Sequence, residues 1–296
     1  MNMYIRTILG LYISKTCIFQ KSNIQTGFTT AVSKTTVTLS NGAEMPIVGL
    51  GTWRAQPEEI ENAVQAALES GYRHIDTAFN YNTEEYIGNV LSKWIELGKI
   101  KREELFITTK ELEGQVKNGL TKAIGLSNFN SEQVQRIHKA AEIKPVVNQV
   151  ELHAYLQQKE LREACKILDV AVTAFSPLGS PGANTHFQNK YNYSLNDFPD
   201  ILGHPVVKEL SEKYKKLPAQ ILLKHLIQQD VIVIPKSSNP ERIKANIDLF
   251  DFELSPDDLE KLNALDKNED GRIFDFMFFK GVEKHPEYPF KARLKV

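Results

Sequence analysis

GYRHIDTAFNYNTEEYIGNVLSKWIELGKIKREELFITTK, residues 71–110, decides the fold class. Tyr72–Ala78 is a short, largely apolar run of strand type. Thr83–Leu97 places Ile87, Leu91, Trp94 and Ile95 on one helical face, and Leu105–Thr109 returns to a strand. Strand, helix and strand in succession form the unit of a parallel sheet covered by helices.

The same rhythm extends both ways. Upstream, Ile47–Trp53 reads as a strand, and a helix opens at Pro57, runs through Ile60, Val64, Ala67 and Leu68, and ends at Gly71. Before it, Thr36–Leu39 alternates and Asn41-Gly42 predicts a type I′ hairpin returning through Met45. Downstream, strands are predicted near Thr121–Ser127, Pro145–Leu152, Val170–Ser176 and Val231–Pro235, with helices over 131–142, 157–169, 205–229 and 240–249. Ser255-Pro-Asp-Asp258 opens a last helix. No strand is followed by GxGxxG or GxxxxGK, which disfavours a Rossmann domain and favours an α/β (β/α)8 TIM-type barrel with an N-terminal β-hairpin. Seven strands are predicted, where closure of this barrel needs eight.

Composition limits the function classes. Lys+Arg number 36 against 37 Asp+Glu, a balance that argues against a polyanion-binding surface and so against nucleic acid as partner. Cys17 and Cys165 stand alone, without CxxC or His spacing, so neither a disulfide framework nor a metal site is expected. No apolar run reaches the roughly 18 residues that span a bilayer, and no membrane partner is expected. The domain reading is a disordered leader over 1–34 and a barrel over 35–296, expected as a cytoplasmic monomer. The first 43 residues lack Asp and Glu but carry Arg6, Lys15, Lys21 and Lys34, so mitochondrial import stays open beside a plain leader or a misassigned start.

In such barrels, chemistry sits at the carboxyl ends of the strands. Those ends carry Trp53, Asp76, Lys110, Ser127-Asn128, Gln149, Glu151, Phe175-Ser176 and Lys236-Ser237-Ser238. Singly, each could be a cap, a turn or a solvated charge; as a set they mark one rim. Tyr81 lies five residues past Asp76, and an ammonium near it would lower the phenol's usual pKa of about 10. Asp76, Tyr81 and Lys110 could then form a general acid for a developing alkoxide. Lys236, Ser237, Ser238 and Arg242 at a helix start form an anion site of the kind that suits a 2′-phosphate.

Seven ordered segments resemble signatures of the aldo-keto reductase family: GLGTW (49–53), GYRHIDTAFNY (71–81), LFITTK (105–110), KAIGLSNFN (122–130), VNQVELHAYL (147–156), AFSPLGSP (174–181) and IPKSSNPERIKAN (234–246). The stretch RIFDFMFFKGVEKHPEYPF (272–290) resembles its tail. The resemblance implies a metal-free, NADPH-dependent oxidoreductase reducing small-molecule aldehydes and ketones to alcohols by hydride transfer. Tyr81 is then the proton donor, tuned by Lys110 and Asp76. Thr52 and Trp53 lie near cofactor and substrate, with Phe79 beside the substrate. Ser127, Asn128 and Gln149 fix the nicotinamide carboxamide, and Phe175 stacks on its ring where the family usually has Tyr. Ser176, Leu178 and Ser180 line the pyrophosphate. Lys236, Ser237, Ser238, Arg242 and Asn246 hold the adenosine 2′-phosphate and adenine, and Ala245 stands where the family often has Glu. Phe274, Phe276, Phe278 and Phe279 suggest an apolar pocket.

The resemblance breaks after Lys110. ELEGQVKNGLTKAIG resembles only the end of the family's second following helix, so a fourth strand and its flanking helices, roughly 50 residues, are expected to be missing. With them goes the His that orients the substrate carbonyl, and neither His74 nor His153 is assigned as a substitute. Either seven strands close at altered tilt, or two edges face an open gap. The alternative reading is a catalytically impaired NADPH-binding protein or a non-functional splice form.

Overall fold

The computed structural model describes residues 10–16 by their backbone, and residues 34–110, 121–191 and 199–290. Ten strands and nine α-helices lie in these segments. The strand β1 is Gly10–Thr16, and a two-stranded hairpin follows from β2 (Thr36–Thr38) and β3 (Glu44–Pro46). The sequence Leu50–Gly51 (β4), Pro57–Glu69 (α1), His74–Asp76 (β5), Glu84–Glu96 (α2) and Phe106–Thr109 (β6) realises the first units of the repeat. After it come Ala123–Ser127 (β7), Ser131–Ala140 (α3), Val147–Glu151 (β8), Lys159–Ile167 (α4), Ala171–Phe175 (β9) and Asn184–Tyr191 (α5). Pro205–Tyr214 (α6), Pro218–Ile227 (α7), Ile232–Val233 (β10), Pro240–Ile247 (α8) and Pro256–Asn263 (α9) complete the order.

The large sheet runs β10-β9-β8-β7-β1-β6-β5-β4. It closes where the Gly49 amide donates to the Val233 carbonyl (2.8 Å) and the Val233 amide to the Ile47 carbonyl (2.9 Å). Bridges Val48–Val233 and Gly51–Lys236 extend that closure. Gly51 permits it: a Cβ there would stand 2.6 Å from the Ile234 carbonyl oxygen.

Seven of the eight strands are parallel, as expected. The eighth, β1, comes from the leader and stands in the slot between β6 and β7. Leader residues 10–16 pair antiparallel with both β6 (Ile13 with Thr109, Thr16 with Phe106) and β7 (Gly10 with Ser127, Ser14 with Ala123). Neither seven-stranded closure nor an open gap is found. The cause is the hydrogen-bonding demand of two facing strand edges, which an extended segment of either direction can meet. The connection at 111–120 lies outside the described residues.

Two local expectations also change. The hairpin turn has one positive φ, at Gly42 (81°). The Gly42 amide donates to the Leu39 carbonyl and the Leu39 amide to the Ala43 carbonyl, which makes a three-residue loop with a left-handed glycine instead of a type I′ turn. The helix expected over 205–229 is two helices. Pro218 has no amide to donate and holds Leu217 extended (ψ 149°), so the first helix stops at a left-handed Lys215.

The core lies between sheet and helices. Ile60, Val64, Ala67 and Leu68 of α1 pack with Leu50, Ile75, Leu126, Val150, Ala174 and Val233 of the strands in one buried cluster. The helix α3 begins with a reciprocal cap, Asn130 Oδ1 accepting from the Gln133 amide (3.0 Å) and Gln133 Oε1 from the Asn130 amide (3.1 Å). Among the described residues no helix is long and apolar enough to cross a membrane.

Candidate active site

Parallel strands bring their carboxyl ends to one rim, and three of those ends meet around Asp76. From just beyond β6, the Lys110 ammonium donates to Asp76 Oδ1 (2.9 Å) and to the Thr77 carbonyl (3.1 Å). From β8, the Gln149 amide donates to Asp76 Oδ2 (2.7 Å). From the end of β4, the Thr52 hydroxyl donates to the Asp76 carbonyl (2.9 Å). Asp76, Thr52 and Gln149 are all buried. A buried carboxylate needs such pairing, since desolvation of an unpaired charge costs several kcal/mol.

Tyr81 ends a turn of 3-10 helix, Phe79–Tyr81, beyond β5. The Lys110 nitrogen stands 4.9 Å from the centre of its ring. Burial raises the Tyr81 phenol above its usual range. The charge and hydrogen bond of Lys110 pull it down and Asp76 pushes it up, so burial prevails. The ammonium acts in the expected direction, but desolvation is larger. Burial also opposes the charge on Lys110, yet Asp76 and Tyr81 together hold that ammonium above its ordinary pKa. The Phe79 side chain lies outside the described part.

Ser127 and Asn128 end β7, both buried, with Asn128 in a left-handed conformation (φ 61°) and its amide donating to the Gln149 carbonyl (2.9 Å). Ser176 and Ser180 are likewise left-handed (φ 53° and 51°), and the Ser180 hydroxyl donates to Ser176 Oγ at 2.6 Å. Leu178, between them, packs against the core. Beyond β10, Lys236 is exposed, and Ser237 and Ser238 are half-buried. The helix α8 is capped by Asn239, whose Oδ1 accepts from the Arg242 amide (3.0 Å). Arg242 is exposed and Asn246 is buried. Among the described residues neither Lys236 nor Arg242 forms an ion pair.

The sequence reading passed over Arg54. It follows Trp53 at the end of β4, beside β10, and its guanidinium lies 5.5 Å from the centre of the Trp53 ring. Burial lowers the Lys236 pKa and the Arg54 charge lowers it further, while Glu59 opposes both. An anion beside Lys236 would offset both effects. The signal in the sequence was a basic residue directly after GTW at a strand end.

An aromatic wall faces this rim. The Phe274 ring stands 5.4 Å from Phe187, 6.0 Å from Phe175 and 6.1 Å from Trp53. Phe187 lies in α5, within a stretch read as a loop, and was not singled out. Phe276 packs against this cluster and stacks on Phe290.

The His positions are separate from Tyr81 in role. His74 is buried, with Nε2 3.2 Å from Thr108 Oγ1, Nδ1 3.3 Å from the Pro46 carbonyl, and a pKa pushed down to about 4 chiefly by burial. His153 is paired with Glu151. Among the described residues the slot between β6 and β7 brings no further side chain to the rim, because β1 runs antiparallel and sets Gly10 level with Ser127.

The aldo/keto reductase family model matches residues 47–111 and 110–267. Aldo-keto reductase family 1 member A1 of Homo sapiens is 37% identical over 298 residues, covering 78% of this chain and 89% of the relative. The Pongo abelii protein of that name is 38% identical with the same coverage. Among solved structures, the aldose reductase of Schistosoma japonicum is similar with a TM-score of 0.74 and 31% identity, covering 87% of this chain and 99% of that one. A Bombyx mori aldo-keto reductase in complex with NADP has a TM-score of 0.76 and 31% identity, covering 88% and 100%.

Proposed function

The chain belongs to the aldo/keto reductase family, and from that premise we propose that it reduces aldehydes and ketones with NADPH, using Tyr81 as proton donor. The observation that carries the proposal is the buried Asp76–Lys110 pair with the Lys110 ammonium against the Tyr81 ring, at the ends of adjacent parallel strands. NADPH, when bound, supplies the hydride that converts the carbonyl carbon to an alcohol carbon.

The residues present suit that cofactor. Lys236 and Arg242 stand without ion-pair partners among the described residues, Arg54 adds charge, and α8 adds the positive end of its dipole. These groups would hold the adenosine phosphate, with Asn246 beside it. Ser176, Leu178 and Ser180 would line the pyrophosphate. Ser127, Asn128 and Gln149 would orient the carboxamide, and Phe175 would give a flat face for the ring.

Tyr81 keeps its proton at neutral pH, since its pKa lies above the ordinary phenol value. When negative charge develops on the carbonyl oxygen, the Tyr81 hydroxyl delivers that proton, and the nearby ammonium stabilises the phenolate left behind. Asp76 holds the ammonium in place through a 2.9 Å bond. Phe274, Trp53 and Phe187 would give one side an apolar lining. Among the described residues, Tyr81 would then hold the carbonyl without a second donor from the fourth strand position. Turnover is accordingly expected to be about 100-fold or more below a site with both groups, the usual value of one positioned donor.

The second reading is an NADPH-binding protein with little chemistry. It is favoured by one contrast: the set at 234–246 is whole, while among the described residues β1 brings no side chain level with Ser127. The absent block itself is proposed from two features: the family match breaks at residues 110–111, and the fourth slot is filled from the leader. A cytoplasmic monomer suits either reading.

Purified full-length chain with NADPH and a reactive aromatic aldehyde separates them. Consumption of NADPH with equimolar alcohol supports the reductase. NADPH binding, read as a raised melting midpoint, without consumption supports the binding protein.

A further inference from the structure

Gln149 and Glu151 lie two residues apart on β8, so alternation sets them on the same face of the strand. Gln149 serves the Asp76 cluster. Glu151 serves the other wall. Its carboxylate is fully buried; Oε2 accepts from the Phe274 amide (2.8 Å), and Oε1 from the Ile273 amide (2.7 Å) and from His153 Nε2 (3.0 Å). The Glu151 carbonyl accepts from the Gln158 side chain (2.8 Å), which anchors the same residue from behind. His153 is itself fully buried, and its backbone bridges Leu156 in both directions (3.1 and 2.9 Å).

The two amides that Glu151 grips begin the C-terminal tail. Just before them, Arg272 donates twice to Glu269 (2.7 Å each) and lies 4.2 Å from the centre of the Phe290 ring. Just after them, Phe274 enters the wall formed with Phe187, Phe175 and Trp53. A charged carboxylate gripping consecutive amides is a stronger and more directional clamp than a neutral acceptor. Burial works against this charge, but the bond and charge of His153, with Arg272 and the Ile273 amide, hold the carboxyl below its ordinary range.

We propose that Glu151, backed by His153, is a positioning residue that latches the C-terminal tail and thereby sets the place of Phe274 against bulky apolar carbonyl substrates. The proposal rests on the reductase reading for its substrate class, but the latch itself can be measured without turnover.

The test compares full-length parent, Glu151→Gln, Ile273→Pro and Phe274→Ala. A glutamine keeps the shape but turns one acceptor into an NH2 facing an amide donor. Proline at 273 removes one donor and leaves Glu151 in place; Arg272 already has the extended backbone (φ −67°, ψ 130°) allowed before proline. Amide exchange over 272–280 should quicken about tenfold or more in both latch variants, with NADPH affinity within about threefold of the parent. KM for an aromatic aldehyde should rise about tenfold in both, with kcat changed far less and KM for a short aliphatic aldehyde unchanged. Phe274→Ala should give the same KM change with tail exchange unaltered. Unchanged tail exchange in Glu151→Gln or in Ile273→Pro would overturn the latch. A parent that binds NADPH but does not turn over would defeat the reductase reading while the exchange result still decides the latch. Loss of folding in Glu151→Gln leaves the decision to Ile273→Pro.

Discussion

The arm from β8 to α8 and the seam between β6 and β7 are both parts of one closed sheet, yet their strands come from different places. In the arm, β8, β9 and β10 pair in parallel, β9 following β8 through one helix and β10 following β9 through three, and their ends deliver Gln149, Phe175, Ser176 and Lys236 to the rim. In the seam, the partner arrives from the leader and runs the other way. The difference separates two demands that a barrel usually meets together. Closing the sheet needs only backbone donors and acceptors at the right spacing, which any extended segment supplies. Chemistry needs particular side chains at one end of a strand, and reversing the strand removes them. The slot is filled, but among the described residues β1 brings no side chain level with Ser127 to the rim.

The largest way to break this comparison is to remove residues 1–34. Strand β1 hydrogen-bonds on both sides, and at about 1 kcal/mol for each ladder bond its loss costs several kcal/mol. The melting midpoint should fall by about 10 °C or more, with exchange quickening first in β6 and β7 and last in β9 and β10. A truncated chain that melts with the parent would show that β1 does not belong to the sheet.

Acid should weaken both regions in a defined window. His74 bonds Thr108 of β6 and His225, in α7, lies within 2.9 Å of Asn263; burial pushes each down to about 4. Unfolded, both bind a proton near pH 6.5, so between about 6.5 and 4 the unfolded chain holds more protons and stability falls as pH drops. Each contributes up to about 3 kcal/mol at 1.36 kcal/mol per pH unit. Urea melts at pH 7 and 5 should show the fall, and His74→Gln should remove the seam-side share while the share of His225 persists. A flat response across that window would exclude the neutral buried pair.

Arg242→Met touches only the arm. NADPH affinity should drop about tenfold, NADH affinity little, and the melting midpoint without cofactor should stay within about 2 °C of the parent. Equal weakening of both nucleotides would move the phosphate site away from α8.

Much of this was legible in the residues. The strand–helix repeat set the parallel order, because apolar periodicity and the Pro57, Gly71 and Ser255 boundaries are local signals. The ends Asp76, Lys110 and Gln149 were found as a rim, and the structure joins them through two bonds to one carboxylate. What escaped was non-local. GLYISKT has nothing near it to mark a strand, and its pairing depends on two edges far along the chain. The direction of the Tyr81 shift depends on how deeply a phenol is buried, which spacing does not report. Glu151 was noted only as a strand end, since its partners at 273 and 274 lie across the chain. Phe187 was hidden by a stretch without periodicity.

The most direct test is the rate of NADPH oxidation by the full-length chain with an aromatic aldehyde, set against Tyr81→Phe. Loss of turnover by about 100-fold or more, with NADPH binding retained, is the predicted result and would establish Tyr81 as the proton donor. Equal turnover in both proteins would contradict it, because the proton would then come from elsewhere.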